Sequence, residues 1–266
     1  MSAPYYADDS LTLLHGDAAT QLEALPDASV DCVVTSPPYW GLRDYGVSGQ
    51  LGWEPTHQEY VASICRVFDQ IARVMKTSGT AWLNIGDRYS SRSDGFRRGE
   101  GRKTRQPLVR LGSPDVLPKS LFGLPWRVAL ALHDQGWVIR NSIVWSKPVA
   151  QPGVAADRVD TSHELLFLLT RNRYYHFDRS VLPVGDVWTF PVESRKGEHE
   201  APFPEALPWQ CVAAGCPEGG TVLDPFSGTG TTGDAARKLG RRYIGIDLNE
   251  SYLDMQISRF AQGVLL

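Results

Sequence analysis

Several signatures of a dedicated chemistry are missing from this 266-residue chain. Its four cysteines (Cys32, Cys65, Cys211 and Cys216) form no CxxC pair and have no histidine set beside them, so no metal is expected. Cys32 and Cys65 fall in apolar runs and read as buried thiols, and Cys211 and Cys216 stand near a helix end without a ligand pattern. No Gly-Lys-Ser or Gly-Lys-Thr occurs, which excludes a P-loop kinase. No apolar run approaches the roughly 20 residues that cross a bilayer. The opening "MSAPYYADDS" lacks the basic and then apolar pattern of a secretory signal, so a cytoplasmic protein without membrane contact is expected. A net charge of −3 does not advertise a nucleic-acid partner, and no internal repeat is visible.

What is present is ordinary in bulk and specific in detail. Hydrophobic residues make up 42% and aromatics 10%, as in soluble globular proteins. The length suits one α/β domain with insertions. Strand and helix patterns alternate along the chain. "LTLLH" (11–15) and "VDCVVT" (30–35) read as strands separated by a short helix over 18–25. Val61, Ile64, Phe68, Ile71 and Met75 have helical spacing within 59–76, with Gly79 as the expected stop and "TAWLNIG" (80–86) as the next strand. Pro125 starts a helix that Gly136 ends, and "WVIRNSIVW" (137–145) follows as a strand. "HELLFLLT" and "YYHF" flank Arg171-Asn172-Arg173 and suggest a hairpin. A polar, proline-rich stretch covers 183–205. Strand "TVLD", helix 230–239, strand "RYIGID" and helix 250–260 close the pattern. Such alternation predicts a doubly wound, mostly parallel Rossmann-like sheet, to which the hairpin adds an antiparallel strand.

Charge is unevenly spread. Between Arg88 and Arg110 eight basic residues face only Asp94 and Glu100, a local net charge of +6 inside an acidic protein. The Gly/Ser/Arg composition also fits a solvated loop, and such a loop can order on a polyanion. Arg97, Arg98, Arg102, Lys103 and Arg105 are the expected phosphate contacts.

Two motifs carry the chemistry. "VLDPFSGTGTTGDAARKLGRRYIGID" places Gly228-x-Gly230-x-x-Gly233 between a strand and a helix, and Asp247 ends the next strand. Glycines admit a ligand close to the backbone, and the carboxylate takes ribose hydroxyls, so a nucleoside site follows. A dehydrogenase fits poorly, because only nineteen residues follow Asp247 and the remaining strands must precede the loop, which describes a circularly permuted sheet. Asp224 and Phe226 crowd the place where a pyrophosphate would lie. A carboxylate repels phosphates but attracts an ammonium, so the expected cofactor is adenosyl and cationic. The second motif is "VVTSPPYWG" (33–41), a buried strand ending on two prolines with one hydroxyl and two aromatics. The prolines fix the backbone and leave carbonyls that no strand partner occupies. Once the permutation is undone, both motifs lie at the carboxyl ends of strands, where open α/β sheets bind ligands.

"TSPPY" followed far downstream by "DPFSGTGTT" resembles the amino-group DNA methyltransferases of the permuted, beta-type arrangement. "LLHGDA" (13–18), "IVWSKP" (143–148) and "HEAPFPEAL" (199–207) resemble further blocks of that family in the right order, so the likeness runs from 11 to 260. It implies S-adenosyl-L-methionine as cofactor and methylation of an exocyclic amine in double-stranded DNA, with base flipping. Ser36 and the Pro37 carbonyl would accept the amino hydrogens, Pro38 would hold the turn, and Tyr39 would stack on the base. The resemblance also implies that Asp224, Phe226, Ser227, Gly228, Thr229 and Gly230 wrap the methionine part and that Asp247 holds the ribose. It brings Asp17, Thr35, His199 and Phe203 to the same cofactor, with a turn after a strand as the plainer reading of Asp17. A single catalytic domain over 1–266 is expected, with a basic insertion at about 88–118 and a short variable region at about 171–198.

Ser-Pro-Pro-Tyr accompanies N4-cytosine in this family more often than N6-adenine, whose enzymes usually carry aspartate in place of Ser36. Trp40 could fill space that a purine needs, although plain packing explains it equally well. The expected product is N4-methylcytosine, with N6-methyladenine as the alternative. Carbon-5 methylation would need a cysteine, typically after proline, and no Pro-Cys occurs. Methylation of a protein amide, done by relatives with Asn-Pro-Pro-Tyr, and a catalytically silent DNA-binding protein are the weaker readings. A homodimer and a cognate restriction endonuclease are the partners that the resemblance suggests, beside duplex DNA.

Overall fold

The computed structural model describes residues 3–42, 46–47, 49–90, 115–148, 156–191 and 204–262. Nine strands form one mixed sheet. In chain order the elements are β1 (Tyr6–Ala7), β2 (Leu11–His15), α1 (Ala18–Glu23), β3 (Val30–Thr35), α2 (His57–Val74), β4 (Met75–Ile85), α3 (Leu124–Asp134) and β5 (Val138–Ser146). There follow β6 (His163–Thr170), β7 (Val187–Thr189), α4 (Ala206–Gly215), β8 (Thr221–Asp224), α5 (Thr231–Lys238), β9 (Arg242–Asp247) and α6 (Glu250–Gln262). In space the strands run β1-β2-β9-β8-β3-β4-β6-β5-β7. The run from β2 to β4 is parallel, β6 is antiparallel to both of its neighbours, and β7 lies parallel to β5.

Strand alternation sorts side chains onto two faces. On one face Val33, Leu83, Phe167 and Leu223 pack against Leu22 of α1, Ile64, Phe68 and Ile71 of α2, and Val128 and Leu132 of α3. On the other, Cys32, Val34, Trp82, Leu166, Leu168 and Val222 meet Leu207, Cys211 and Val212 of α4, Ala236 of α5, and Leu253 and Phe260 of α6. Both faces are covered, which is why the central strands read as unbroken apolar runs. Helix α2 begins at a capping box, with Thr56 accepting from the Glu59 amide while the Glu59 carboxylate accepts from the Thr56 amide.

The structure corrects three sequence expectations. "YYHF" is not the partner of "HELLFLLT": β6 pairs with β4 on one side and β5 on the other, so no edge is open for a third strand. Residues 174–177 instead leave the sheet, the His176 amide donating to the Ser78 carbonyl (2.8 Å) and the Phe177 ring stacking on Trp82. The antiparallel hairpin is therefore β5–β6. Helix α2 ends at Val74, and Gly79 lies inside β4. A Cβ there would stand 3.0 Å from the Asp31 carbonyl, so the glycine permits close approach at a register shift between β3 and β4. The polar stretch 183–205 also contains β7, too short to show a period.

At the amino ends of the strands, Asp31 is a three-way joint. Its carboxylate takes the Lys76 ammonium at 2.8 and 2.9 Å and the Thr221 amide at 2.9 Å, linking β3, β4 and β8. Asp31 is 6% exposed. Removing it strands a buried amide and a half-buried ammonium. Asp31→Ala should lower the unfolding free energy by about 2–3 kcal/mol in urea titrations. Because the joint lies at the opposite ends of the strands from the glycine loop, cofactor affinity should be unchanged in the folded fraction.

Candidate active site

The sheet reverses its winding between β8 and β3. From β8 the chain crosses through α5 to β9 on one side, and from β3 it crosses through α2 to β4 on the other. The carboxyl ends of these neighbouring strands open a crevice at a topological switch point. Asp224 ends β8 and Thr35 ends β3, and the Thr35 hydroxyl donates to Asp224 Oδ1 at 2.8 Å. The same carboxylate accepts from the Phe226 amide (3.1 Å) and from the Thr232 hydroxyl of α5 (2.7 Å). One buried group thus ties both motifs to one geometry.

Above this joint lies an open cleft, lined by Asp17, Ser36, Pro38, Phe226, Gly228 and Asp247, with Val67, Leu248, Asn249 and Tyr252 adding to its walls. Its two charged lining residues are both acidic. The Asp247 carboxylate is oriented by the Gly228 amide (2.7 Å) and the Asn249 amide (2.8 Å). Gly228 and Gly230 adopt φ of +49° and +83°, in the left-handed region that glycine tolerates. A Cβ at Gly233 would lie 2.6 Å from Phe260 and Tyr243 atoms, so this third glycine lets α5 pack on α6 and β9.

Burial, which disfavours a bare charge, pushes Asp224 up to about 6 against its three donors, and the nearby Asp247 carboxylate adds to the rise. Burial likewise raises Asp247 to about 6, against the Asn249 and Gly228 amides.

The Ser36–Tyr39 turn adjoins this cleft, with Ser36 and Pro38 on its wall. Tyr39 donates to Glu164 Oε2 at 2.7 Å, and Glu164 Oε1 pairs with the Lys147 ammonium. The Ser36 hydroxyl lies 3.4 Å from the Tyr39 oxygen and 3.3 Å from Asn84 Oδ1. The Asn84 amide donates to the Leu165 carbonyl at 3.2 Å, and the Tyr60 hydroxyl donates to the Pro38 carbonyl at 3.0 Å. A Cβ at Gly86 would come within 2.5 Å of the Tyr39 ring, so the ring lies flush on bare backbone. Burial first, and then the Glu164 charge, hold the Tyr39 hydroxyl well above its usual range.

The expected site residues separate into layers. Asp17, Phe226, Gly228, Asp247, Ser36 and Pro38 line the cleft, and Asp17 also caps α1 by accepting from the Thr20 amide at 3.0 Å. Thr35, Asp224 and Ser227 lie beneath it, with Ser227 Oγ taking the Gln256 amide at 2.8 Å. Pro37 is buried, while Tyr39 and Thr229 are half-buried behind the rim. Gly230 caps α5. His199 and Phe203 lie outside the described residues, as do Arg97, Arg98, Arg102, Lys103 and Arg105. Trp40 is 1% exposed, its indole donating to the Glu54 carbonyl and packing on Phe122, so it trims no substrate pocket.

Sequence reasoning missed Gln256, Asn84, Glu164 and Lys147. Gln256 of α6 also donates to the Gly228 carbonyl (2.8 Å) and braces the glycine loop from below. Asn84 is a lone polar residue in an apolar strand, a signal of burial that names no partner, whereas Gln256 and Glu164 stand among other polar residues and carry no such signal.

A doubly wound sheet, a braced glycine loop and a proline turn at one switch point define a nucleoside-dependent group transferase. The DNA methylase profile for N6 and N4 amino methylation matches residues 30–258. Type II methyltransferases M.Cfr9I of Citrobacter freundii and M.SmaI of Serratia marcescens are each 42% identical, over 93% and 94% of this chain and 87% and 90% of their own lengths. The chain belongs to the N6/N4 DNA methylase family. The solved PvuII DNA methyltransferase, cytosine-N4-specific, has the same fold at a TM-score of 0.75 and 19% identity, covering 97% of this chain and 88% of its own. A DNA modification methylase from Thermus thermophilus, solved with S-adenosyl-L-methionine, aligns at a TM-score of 0.67 and 26% identity over 95% and 94% of the two chains.

The cofactor is S-adenosyl-L-methionine, and the residues present fit it. Carboxylates suit its hydroxyls and positive charge, Phe226, Leu248 and Val67 suit an adenine ring, and among the described residues the cleft lining contains no cation. No described helix is long and apolar enough to cross a membrane, and no metal-binding cluster exists among the described residues.

The two raised carboxyls give a pH dependence with a definite sign. Folded Asp247 and Asp224 titrate at about 6 and unfolded carboxyls at 3.8. Their contribution to stability is therefore complete below 3.8 and is lost as pH rises through about 6. A cationic ligand favours the ionised form, so its stabilisation grows over the same window. The rise in Tm on adding cofactor should be smaller at about pH 5 than at about pH 7.5, and Asp247→Asn should flatten the difference. An equal rise at both values in the unaltered protein would exclude these carboxylates from cofactor binding.

Proposed function

We propose that this DNA methyltransferase modifies the exocyclic N4 amine of cytosine, in a specific double-stranded sequence. The observation that carries the reading is the Ser36 hydroxyl, a neutral acceptor, in the same cleft as Asp17 and Asp247. An exocyclic amine is a poor nucleophile while its lone pair is delocalised into the ring. Acceptors on its two hydrogens draw the nitrogen toward tetrahedral geometry and aim the lone pair. With the Tyr39 hydrogen given to Glu164 and the Ser36 hydrogen given to Tyr39 or Asn84, the Ser36 lone pairs are available for one amine hydrogen. The Pro37 carbonyl takes the other, and the Tyr39 ring, seated on Gly86, offers its free face to a flipped base. S-adenosyl-L-methionine, when bound, supplies an electrophilic methyl group. Asp247 holds the ribose and Asp17 the adenine side, while Asp224 acts through the loop it anchors. The PvuII enzyme, which shares the sheet, is cytosine-N4-specific. N6-methylation of adenine is the second reading, since adenine offers the same two amino hydrogens. With Trp40 in the core, pocket size does not separate the bases, and the assignment rests on Ser36.

Labelled cofactor and duplex DNA, followed by digestion to nucleosides and mass separation, should give N4-methyl-2′-deoxycytidine as the dominant product. A dominant N6-methyl-2′-deoxyadenosine peak would reverse the assignment, and label in protein or RNA alone would sink the activity. Ser36→Ala should lower the rate about 100-fold while leaving cofactor affinity within about twofold.

Duplex contact is assigned to the basic segment by its charge alone. Replacing Arg97, Arg98, Arg102, Lys103 and Arg105 with alanine should weaken DNA binding and reduce its salt slope by about one unit per lost contact, without changing cofactor affinity. Unaltered DNA affinity would return the segment to a solvated linker.

A further inference from the structure

Amine methylation leaves a proton to dispose of, and the site contains a path for it. The nitrogen gains a bond to carbon as the carbon–sulfur bond breaks with its electron pair kept by sulfur, and one amine hydrogen must leave as a proton. Ser36 is the acceptor placed at the cleft, and a neutral serine cannot hold an extra proton while keeping its own. Behind it the hydroxyls and one carboxylate form a directed chain. Ser36 Oγ has two acceptors for its one hydrogen, Asn84 Oδ1 at 3.3 Å and Tyr39 Oη at 3.4 Å, and Tyr39 donates to Glu164 Oε2 at 2.7 Å. Tyr39 has a second acceptor in Asn84 Oδ1 at 3.1 Å, but the shorter, charge-assisted bond to the carboxylate wins its single hydrogen. Asn84 can receive a hydrogen bond yet holds no proton at neutral pH, so its branch leads nowhere. Glu164 is the second residue of β6 and is paired with Lys147, itself only 24% exposed.

We propose that the proton leaving the methylated amine exits through Ser36 and Tyr39 to the carboxylate of Glu164, with Lys147 setting the direction of the chain. The inference rests on the reading of Ser36 as an amine acceptor and is indifferent to which base carries the amine. As the amine hydrogen moves to Ser36 Oγ, the serine hydrogen moves to Tyr39 Oη and the tyrosine hydrogen to Glu164 Oε2. The serine and tyrosine end neutral, the product amine ends neutral, and Glu164 ends as an uncharged acid. With 18% of its side chain exposed, it returns the proton to solvent. The 3.4 Å link is long in the free protein, as catalytic hydrogen bonds often are before substrate tightens them. Burial keeps the Tyr39 hydroxyl protonated between turnovers, so the phenol acts as a carrier and does not compete as a base. Glu164 touches no substrate atom and acts only through Tyr39.

Single-turnover methylation of duplex DNA separates this role from a structural one. Glu164→Gln keeps an acceptor for the tyrosine hydrogen but cannot take a proton, and Tyr39→Phe keeps the ring on Gly86 but cuts the chain. Each should slow methyl transfer by about 10- to 100-fold. Cofactor and DNA dissociation constants, measured by calorimetry and anisotropy, should stay within about twofold. The double variant should be no slower than the worse single one, because both cut the same path. Formate should restore part of the rate to Glu164→Ala and none to Tyr39→Phe. Wild-type rate in Glu164→Gln or in Tyr39→Phe would overturn the relay while leaving the methylation reading intact. Absence of label in DNA with the unaltered protein would instead sink that reading.

Discussion

The carboxylate of Asp224 is the group on which the rest of the site depends. It lies at the one place where two strands of opposite crossover direction run side by side, and its partners come from three different elements. Thr35 closes β3, Phe226 begins the glycine loop, and Thr232 belongs to the first turn of α5. A buried carboxylate accepts this many donors because each offsets part of its lost hydration. The arrangement fixes the distance between the glycine loop and the proline turn, the parts proposed to face the cofactor and the base. Methyl transfer requires the two reactants in line within a few tenths of an ångström, so that distance matters more than any single contact with a ligand. Residues placed below the cleft set its geometry, and residues on its wall set its chemistry.

Two carboxylates at this switch point also repel each other, and both are raised to about 6. Burial is the main cause of both rises, with the Asp247 charge adding to that of Asp224, so the ionised pair is unfavourable in the free protein. A ligand with positive charge relieves part of this cost and an anionic nucleotide increases it, which discriminates against pyrophosphate cofactors without any steric device. The glycine loop that resembles a dinucleotide fingerprint is thereby committed to a different ligand class by the charges around it. The DNA-facing part needs the opposite sign. The chain separates the two, with carboxylates in the cleft and the +6 segment elsewhere in the sequence, so the net charge of −3 conceals both.

How much of this the sequence revealed depends on whether a feature is local. Strands buried on both faces announce themselves as apolar runs, and the glycine spacing with Asp247 nineteen residues on marks the cofactor loop without any knowledge of the sheet. The Ser-Pro-Pro-Tyr turn is equally local. Pairing is not. "YYHF" has as much β-propensity as a strand, and only the occupation of both β6 edges by β4 and β5 sends it out of the sheet. Gly79 reads as a helix stop because helices often end on glycine, whereas the constraint is a carbonyl of the neighbouring strand. The direct passage from α2 to β4 has no turn residue to mark it. Gln256, Asn84 and Glu164 meet partners that lie 28, 48 and 125 residues away along the chain. Long-range hydrogen bonds leave no periodic trace, so the supports of the site were hidden while its front was plain.

The residue at position 36 gains meaning from this hidden layer. A carboxylate there would serve an amine as both acceptor and proton sink, and would need nothing behind it. It would also add a negative charge beside a hydrogen-bonded cluster already anchored on Glu164, separated from it only by the Tyr39 hydroxyl. In a site screened from water such a like-charge pair is costly. Serine avoids the repulsion but is a weaker acceptor and no sink, and then the carboxylate behind Tyr39, neutralised in turn by Lys147, supplies what it lacks. On the proposed relay, Ser36 and Glu164 are two halves of one function, divided between the loop after β3 and the start of β6. The division keeps the full negative charge away from the reacting centre and places it where an ammonium can balance it. A serine in this turn is coherent with the rest of the structure only because Glu164 and Lys147 stand behind it.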